Sequence, residues 1–120
     1  LEGGVHKLTA AALEQMLSRG ATAFLAEDDI LGYRLLDLAA ELGLNCPADF
    51  SLAVLGDPLS LFDPRRSWTS FQIPRREMGM QAVQILTQRL SNPESEPQQV
   101  TLPCTFVPGN TVARPPGHGT

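Results

Sequence analysis

Two short, almost wholly apolar runs, residues 21–26 and 51–55, constrain this chain more than any other feature. Each follows a helical pattern and a break. Leu8, Ala12, Leu13, Met16 and Leu17 recur at helical spacing over residues 8–19, and Gly20 supplies a stop before the first run. Leu31, Leu35, Leu38, Ala39 and Leu42 give a second helix one continuous apolar face, which Gly43 ends. Asp28 or Asp29 caps that helix, because a carboxylate accepts the unpaired N–H groups of a first turn. Pro47 and Asp49 then turn the chain into the second run. Apolar runs of this length suit strands buried on two faces. The order helix, strand, helix, strand with short connections predicts an α/β fold, a parallel sheet flanked by helices.

The rest of the chain is less regular. Residues 56–67 hold two prolines, two aspartates and two arginines and read as a loop, with one helical turn near 59–62. Residues 68–73 alternate weakly, as a strand would. Pro74 stands where a helix start tolerates it. Met78, Ala82, Ile85 and Leu86 mark a third helix over 75–91 and are most simply read as core. Residues 91–98 form a polar linker, and 100–107 an extended segment broken by Pro103. From Pro108 onward the chain is rich in glycine and proline, which predicts a frayed end, with a disordered tail over 113–120. Two strong strands are few for a parallel sheet, so the remainder of the sheet is expected from elsewhere.

Composition narrows the functional classes. At 120 residues the chain is one domain, and 42% apolar content argues against disorder. The net charge is −4 with only nine Lys plus Arg, so no basic stripe marks a nucleic-acid surface. Four of those cations fall in the pairs Arg65-Arg66 and Arg75-Arg76, read as solvated surface. No run approaches the length of a membrane span, and the N-terminus lacks a signal-peptide pattern. Cys46 and Cys104 form no C-x-x-C motif and read as free thiols of a cytoplasmic protein. His6 and His118 lie near the ends without a carboxylate partner at a defined spacing. Ser51 and Ser60 have no G-x-S-x-G setting, and no glycine-rich phosphate loop is present. No nucleophile–base pair can be named, so the expectation is a protein with no catalytic residues, metal ligands or cofactor.

Six segments, in order, resemble a known family. Residues 21–29, ending Glu27-Asp28-Asp29, resemble the "P-T-A-I-F-C-A-N-D" strand of the lactose-repressor/galactose-repressor (LacI/GalR) family. Residues 43–51 are similar to its "G-L-x-V-P-E-D-V-S", and Val54-Leu55-Gly56-Asp57 stands where the family has "G-F-D-D" or "G-F-G-D". Residues 68–74 resemble "L-T-T-V-R-Q-P", and residues 76–82 resemble "E-E-M-G-x-x-A". Leu102-Pro103 and Gly109-Asn110-Thr111 are similar to the closing "L-P…R-G-S-T", so the likeness covers roughly 8–112.

The resemblance implies part of a periplasmic-binding-protein-like (type I) fold, in which a small molecule held between two lobes changes how a dimer presents its DNA-binding heads. Residues 1–73 and 99–108 would belong to the C-terminal lobe and helix 75–91 to the N-terminal lobe. DNA contact would come only through a region absent from this chain. A periplasmic sugar-binding protein of a transporter shares the fold and is the alternative.

By the same resemblance, the effector-facing positions are Asp28, Gly56, Asp57 and Ile73. Asp28 replaces the family's Asn and suits a polyol or a cation, or serves only as a helix cap. Asp29 matches the family's Asp and reads as a cap. Gly56 stands where sugar- and purine-binding members hold their ligand with an Asp. Asp57 follows it, but neighbouring strand residues face opposite sides. Ile73 replaces a polar Gln of some members. Without polar side chains at positions 56 and 73, the expected effector is less polar than a sugar or held differently, or the pocket has decayed in a ligand-independent regulator. Trp68 could stack on a ligand but is more simply core. The uncovered apolar side of helix 75–91 predicts a homodimer, with that helix exchanged between copies.

Overall fold

The computed structural model describes residues 8–56, 66–115 and 117. Helix α1 (Ala10–Ser18) leads into strand β1 (Ala23–Ala26), helix α2 (Asp29–Glu41) and strand β2 (Ser51–Val54). Strand β3 (Thr69–Gln72), helix α3 (Arg75–Ser91) and strand β4 (Thr105–Val107) follow. The four strands form one sheet in the order β1-β2-β3-β4. The first three strands are parallel, and β4 returns antiparallel to β3. The α/β architecture therefore holds, and two of the four strands come from weakly patterned sequence. Pro103, which has no N–H to donate, stands before β4, and the expected extended segment joins the sheet only over Thr105–Val107. The helical turn expected near 59–62 lies outside the described residues.

Local chemistry explains the first half. The Thr9 side chain caps α1 by accepting the Ala12 N–H at 3.2 Å, and Asp28 caps α2 by accepting the Leu31 N–H at 2.8 Å. Gly20 and Gly43 follow these helices at φ values of +92° and +72°, the left-handed region that closes a helix cheaply only with glycine. Helices α1 and α2 pack on each other, and α2 packs on β1 and β2. The core is Leu13, Ala26, Leu35, Leu38, Ala39, Phe50, Leu52, Val54 and Trp68.

The register shows which sheet face this core uses. Phe24 pairs with Leu52 and Val54 with Ser70, so these residues share the face under α2. Ala23, Leu25, Ser51, Ala53, Thr69, Phe71 and Phe106 occupy the opposite face. The sequence predicts strands buried on both faces, and β1 departs from that expectation. Leu25 is 62% exposed, because no described helix covers its side of the sheet.

The glycine- and proline-rich segment after Pro108 is not frayed at its start. Thr111 is fully buried and is held by hydrogen bonds to three separate parts of the chain. The Ser51 hydroxyl donates to the Ala113 carbonyl and accepts the Ala113 N–H, both at 3.0 Å. Gly109 permits this docking, since a Cβ there would lie 2.2 Å from the Trp68 carbonyl carbon.

Helix α3 behaves differently. None of its residues is buried, and it packs on no other described helix or strand. Met78, Ala82, Ile85 and Leu86, read as core, are therefore not buried within this chain, which agrees with the expected uncovered apolar side of this helix. Val100 and Leu102 run beside Met78, Ala82 and Ile85 around a groove of about 400 Å³. The opposite side, with Met80, Val83, Leu86 and Leu90, is open. The radius of gyration is 19.1 Å, against about 14 Å for a compact domain of this length.

Candidate functional site

Parallel strands place their carboxyl ends along one edge, and open α/β sheets bind ligands in the crevice outside that edge. Here β1 runs into Glu27 and Asp28, β2 into Leu55 and Gly56, and β3 into Ile73 and Pro74. The Leu55 N–H donates to the Ala26 carbonyl at 2.9 Å, which carries the ladder one step past the strands and sets Gly56 beside the β1 tip.

Three of the four sequence-named positions can be placed. Asp28 is exposed, and its Oδ1 caps α2. Capping occupies one carboxylate oxygen and leaves the second for other work. Gly56 is buried with φ at +106°, a conformation that a side chain would strain. The space a Cβ would enter there is bounded by Ile73 Cδ1 at 3.5 Å and Arg75 Nη2 at 4.0 Å. Ile73 is half-buried beside it. Asp57 lies outside the described residues, as do His6 and His118.

Ile73 also lines a cavity of about 710 Å³ where β3 passes into α3, together with Gln72, Arg75, Arg76, Glu77 and Gln81. It is a groove open to solvent, and grooves of similar volume lie along α1 and near the end of α3. Both arginines of the Arg75-Arg76 pair, read from sequence as solvated surface, are exposed, and they also contribute to this wall.

Two other residues resolve into structural roles. Trp68 is buried, meets Tyr33 edge-to-face at 5.0 Å between ring centroids, and packs on Gly32, where a Cβ would lie 3.0 Å from Trp68 Cη2. It supports α2 instead of lining the cavity. Cys46 is half-buried and donates its thiol hydrogen to the Thr111 carbonyl at 3.3 Å. Burial pushes its pKa up, against the opposing pull of the Arg66 charge and of a backbone hydrogen bond from Leu52. Among the described residues no cluster of three or more His, Cys, Asp or Glu could hold a metal ion, and no helix is long and apolar enough to cross a membrane.

The periplasmic binding protein-like domain family matches residues 2–112. This chain belongs to that family. Its known relatives place it in the LacI/GalR branch, as part of a regulator's effector domain. The HTH-type transcriptional regulator MalR of Streptomyces coelicolor is 31% identical over 122 residues, which take in 99% of this chain and 33% of that protein. The chain therefore spans about a third of the length of the curated relatives it matches. The transcription regulator CcpA of Lactococcus lactis superposes with a TM-score of 0.68 at 25% identity, over 87% of this chain and 38% of that one. A LacI family regulator of Enterococcus faecium, solved with bound ribose, superposes at 0.69 and 24% identity, over 87% of this chain and 39% of that one. At that identity the likeness speaks for the fold of the periplasmic-binding-protein-like domain.

Proposed function

We propose that this chain is the effector-sensing and dimerisation portion of a bacterial DNA-binding transcriptional repressor that works in the cytoplasm and responds to a small molecule. The observation that carries this reading is the open groove of about 710 Å³ at the tip of β3, just where α3 leaves the sheet. A ligand seated there touches both the sheet and the departing helix, so it can bias their relative position, as an allosteric effector must. Residues 1–73 and 99–108 are assigned to a C-terminal lobe. Helix α3, which packs on no other described helix or strand, is assigned to an N-terminal lobe. Asp28, Gly56, Asp57 and Ile73 are the proposed effector-facing positions.

DNA contact is assigned to a helix-turn-helix segment outside this chain, in keeping with a net charge of −4. The curated relatives are helix-turn-helix regulators, which favours this reading over a transporter's sugar-binding protein and over an enzyme. Sequencing the reading frame upstream of Leu1 tests it. A further stretch of about 200 residues, one or two domains, opening with a helix-turn-helix supports the regulator. A cleavable signal peptide overturns it in favour of the periplasmic protein. Operator retention by the full-length protein, measured with and without candidate sugars, then separates a working sensor from one whose pocket has decayed.

A further inference from the structure

We propose that Pro74 and Pro103 form the pivot on which α3 turns against the sheet, two opposed prolines that keep the connecting ribbon from closing. Helix α3 and the segment after it form one unit. The Gln98 side-chain amide donates to the Gln88 side-chain carbonyl at 3.0 Å, and the Ser95 N–H donates to the Asn92 carbonyl at 3.0 Å. Val100 and Leu102 lie beside Met78, Ala82 and Ile85. Helix α3 packs on no other described helix or strand, and the chain enters this unit at Pro74 and leaves it at Pro103. Such a mounting is independent of any effector at the β3 tip.

The register of β3 and β4 places the two prolines. Backbone N–H groups point alternately to the two edges of a strand. The Thr69 N–H points to Thr111, on the β2 side, so those of Ser70 and Gln72 face β4. The next residue to face that way is Pro74. Carried two steps past Gln72 and Thr105, the same register sets it opposite Pro103. A ladder bond at this level needs an N–H from one of the two, and neither has one. The ladder therefore stops at Gln72 and Thr105 and cannot lengthen into the unit, whichever way α3 leans. Pro74 also fixes where a turn of the unit is taken up. Its φ of −76° and ψ of 60°, with the Arg75 N–H donating to the Ile73 carbonyl at 2.8 Å, make it the centre of an inverse γ-turn. The ring locks φ, and a residue before proline avoids the helical region, so α3 cannot grow back through Ile73. Rotation is left to ψ of the two prolines and to the bonds beside them.

Double electron–electron resonance on the full-length protein tests this. Spin labels go on exposed Glu41, at the end of α2, and exposed Glu96, after α3, with the native cysteines replaced and unlabelled protein in excess. A turn of about 20° moves the far end of α3, about 25 Å from the pivot, by about 9 Å, a range this measurement resolves. The wild-type distance is expected to spread over about that range. Pro74→Val combined with Pro103→Val supplies both missing donors on residues that favour extended chain. The ladder is then expected to gain a pair, and the spread to contract to one narrow peak. Pro103→Val alone is expected to narrow it in part. A control pair on Arg19 and Glu41, both on the sheet side, is expected to stay narrow throughout. A single narrow Glu41–Glu96 distance in the wild type, or a spread that survives both substitutions, overturns the proposal. If the double variant does not fold, an unchanged spread in Pro103→Val overturns it equally. Operator binding by the same preparation reports on the regulator reading separately, so the two can fail independently.

Discussion

The Thr111 carbonyl accepts the Leu52 N–H at 2.8 Å, filling a position beside β2 that β3 does not reach. Strand β3 begins its pairing at Thr69, opposite Ala53, one residue beyond Leu52. Thr111 occupies the gap, and its Oγ1 accepts the Thr69 N–H at 3.0 Å. One residue thus holds the end of the chain to β2 and β3, and its carbonyl receives the Cys46 thiol as well.

Replacing Thr111 by Val keeps the shape but removes the acceptor, leaving a buried Thr69 N–H unpaired. The expected loss is about 1–3 kcal/mol of stability, the cost of an unsatisfied buried donor. Urea denaturation of the full-length protein, followed at Trp68, measures it. Thr111→Ser retains the hydroxyl and is expected to lose less than Thr111→Val, which separates the hydrogen bond from the packing.

Thr111 also shows where sequence reasoning ran out. Helix α2 was legible because everything that forms it is local: a capping Asp28, apolar residues at helical spacing and Gly43 at the stop. Strand β2 was legible as an apolar run ahead of Gly56. The partner of Thr111 Oγ1 is 42 residues away in sequence, and no periodicity announces such a contact. A polar residue among glycines and prolines read as a loose end for that reason. Gly56 was visible in the sequence as a departure from the family pattern. That Arg75 borders the space above it depends on how β3 enters α3, which spacing alone does not show.

Asp28 carries two roles that substitution can separate. Asn caps a helix about as well as Asp, so Asp28→Asn is expected to leave the melting temperature nearly unchanged. Asp28→Ala removes the bond to the Leu31 N–H and is expected to cost about 1 kcal/mol. If Asp28 also meets the effector through its second oxygen, Asp28→Asn weakens effector binding severalfold at constant stability. Thermal melts and titrations of the two variants give both readouts.

The two thiols are expected to react at different rates. Cys104 is exposed, whereas Cys46 is half-buried with its thiol hydrogen donated to Thr111. The raised Cys46 pKa reduces the thiolate, which is the nucleophile. Iodoacetamide at neutral pH, followed by peptide mass spectrometry, should modify Cys104 first and Cys46 only slowly. The sign of the linkage follows from the same shift. With its folded pKa above the unfolded value, Cys46 favours folding fully at pH below the ordinary thiol range, and this contribution is lost as pH rises through the folded value. Cys46→Ser is therefore expected to flatten part of the alkaline decline in stability.

The 120-residue chain on its own is expected to self-associate through α3. Met80 and Val83 are each 64% exposed and Leu90 is 74% exposed. With Leu86 they fall on one side of the helix at spacings of three and four residues, and no other described helix or strand packs there. Water contact with a stripe of this kind is unfavourable, and a second copy offers an identical stripe to bury it against, in the self-complementary manner of a two-fold dimer. Sedimentation velocity across a concentration series should show a dimer or larger species. Val83→Glu combined with Leu90→Glu places like charges on the stripe and should return the chain to a monomer. Far-UV circular dichroism checks that the helix survives the substitution. A monodisperse monomer for the unsubstituted chain at every concentration would rule out α3-mediated association.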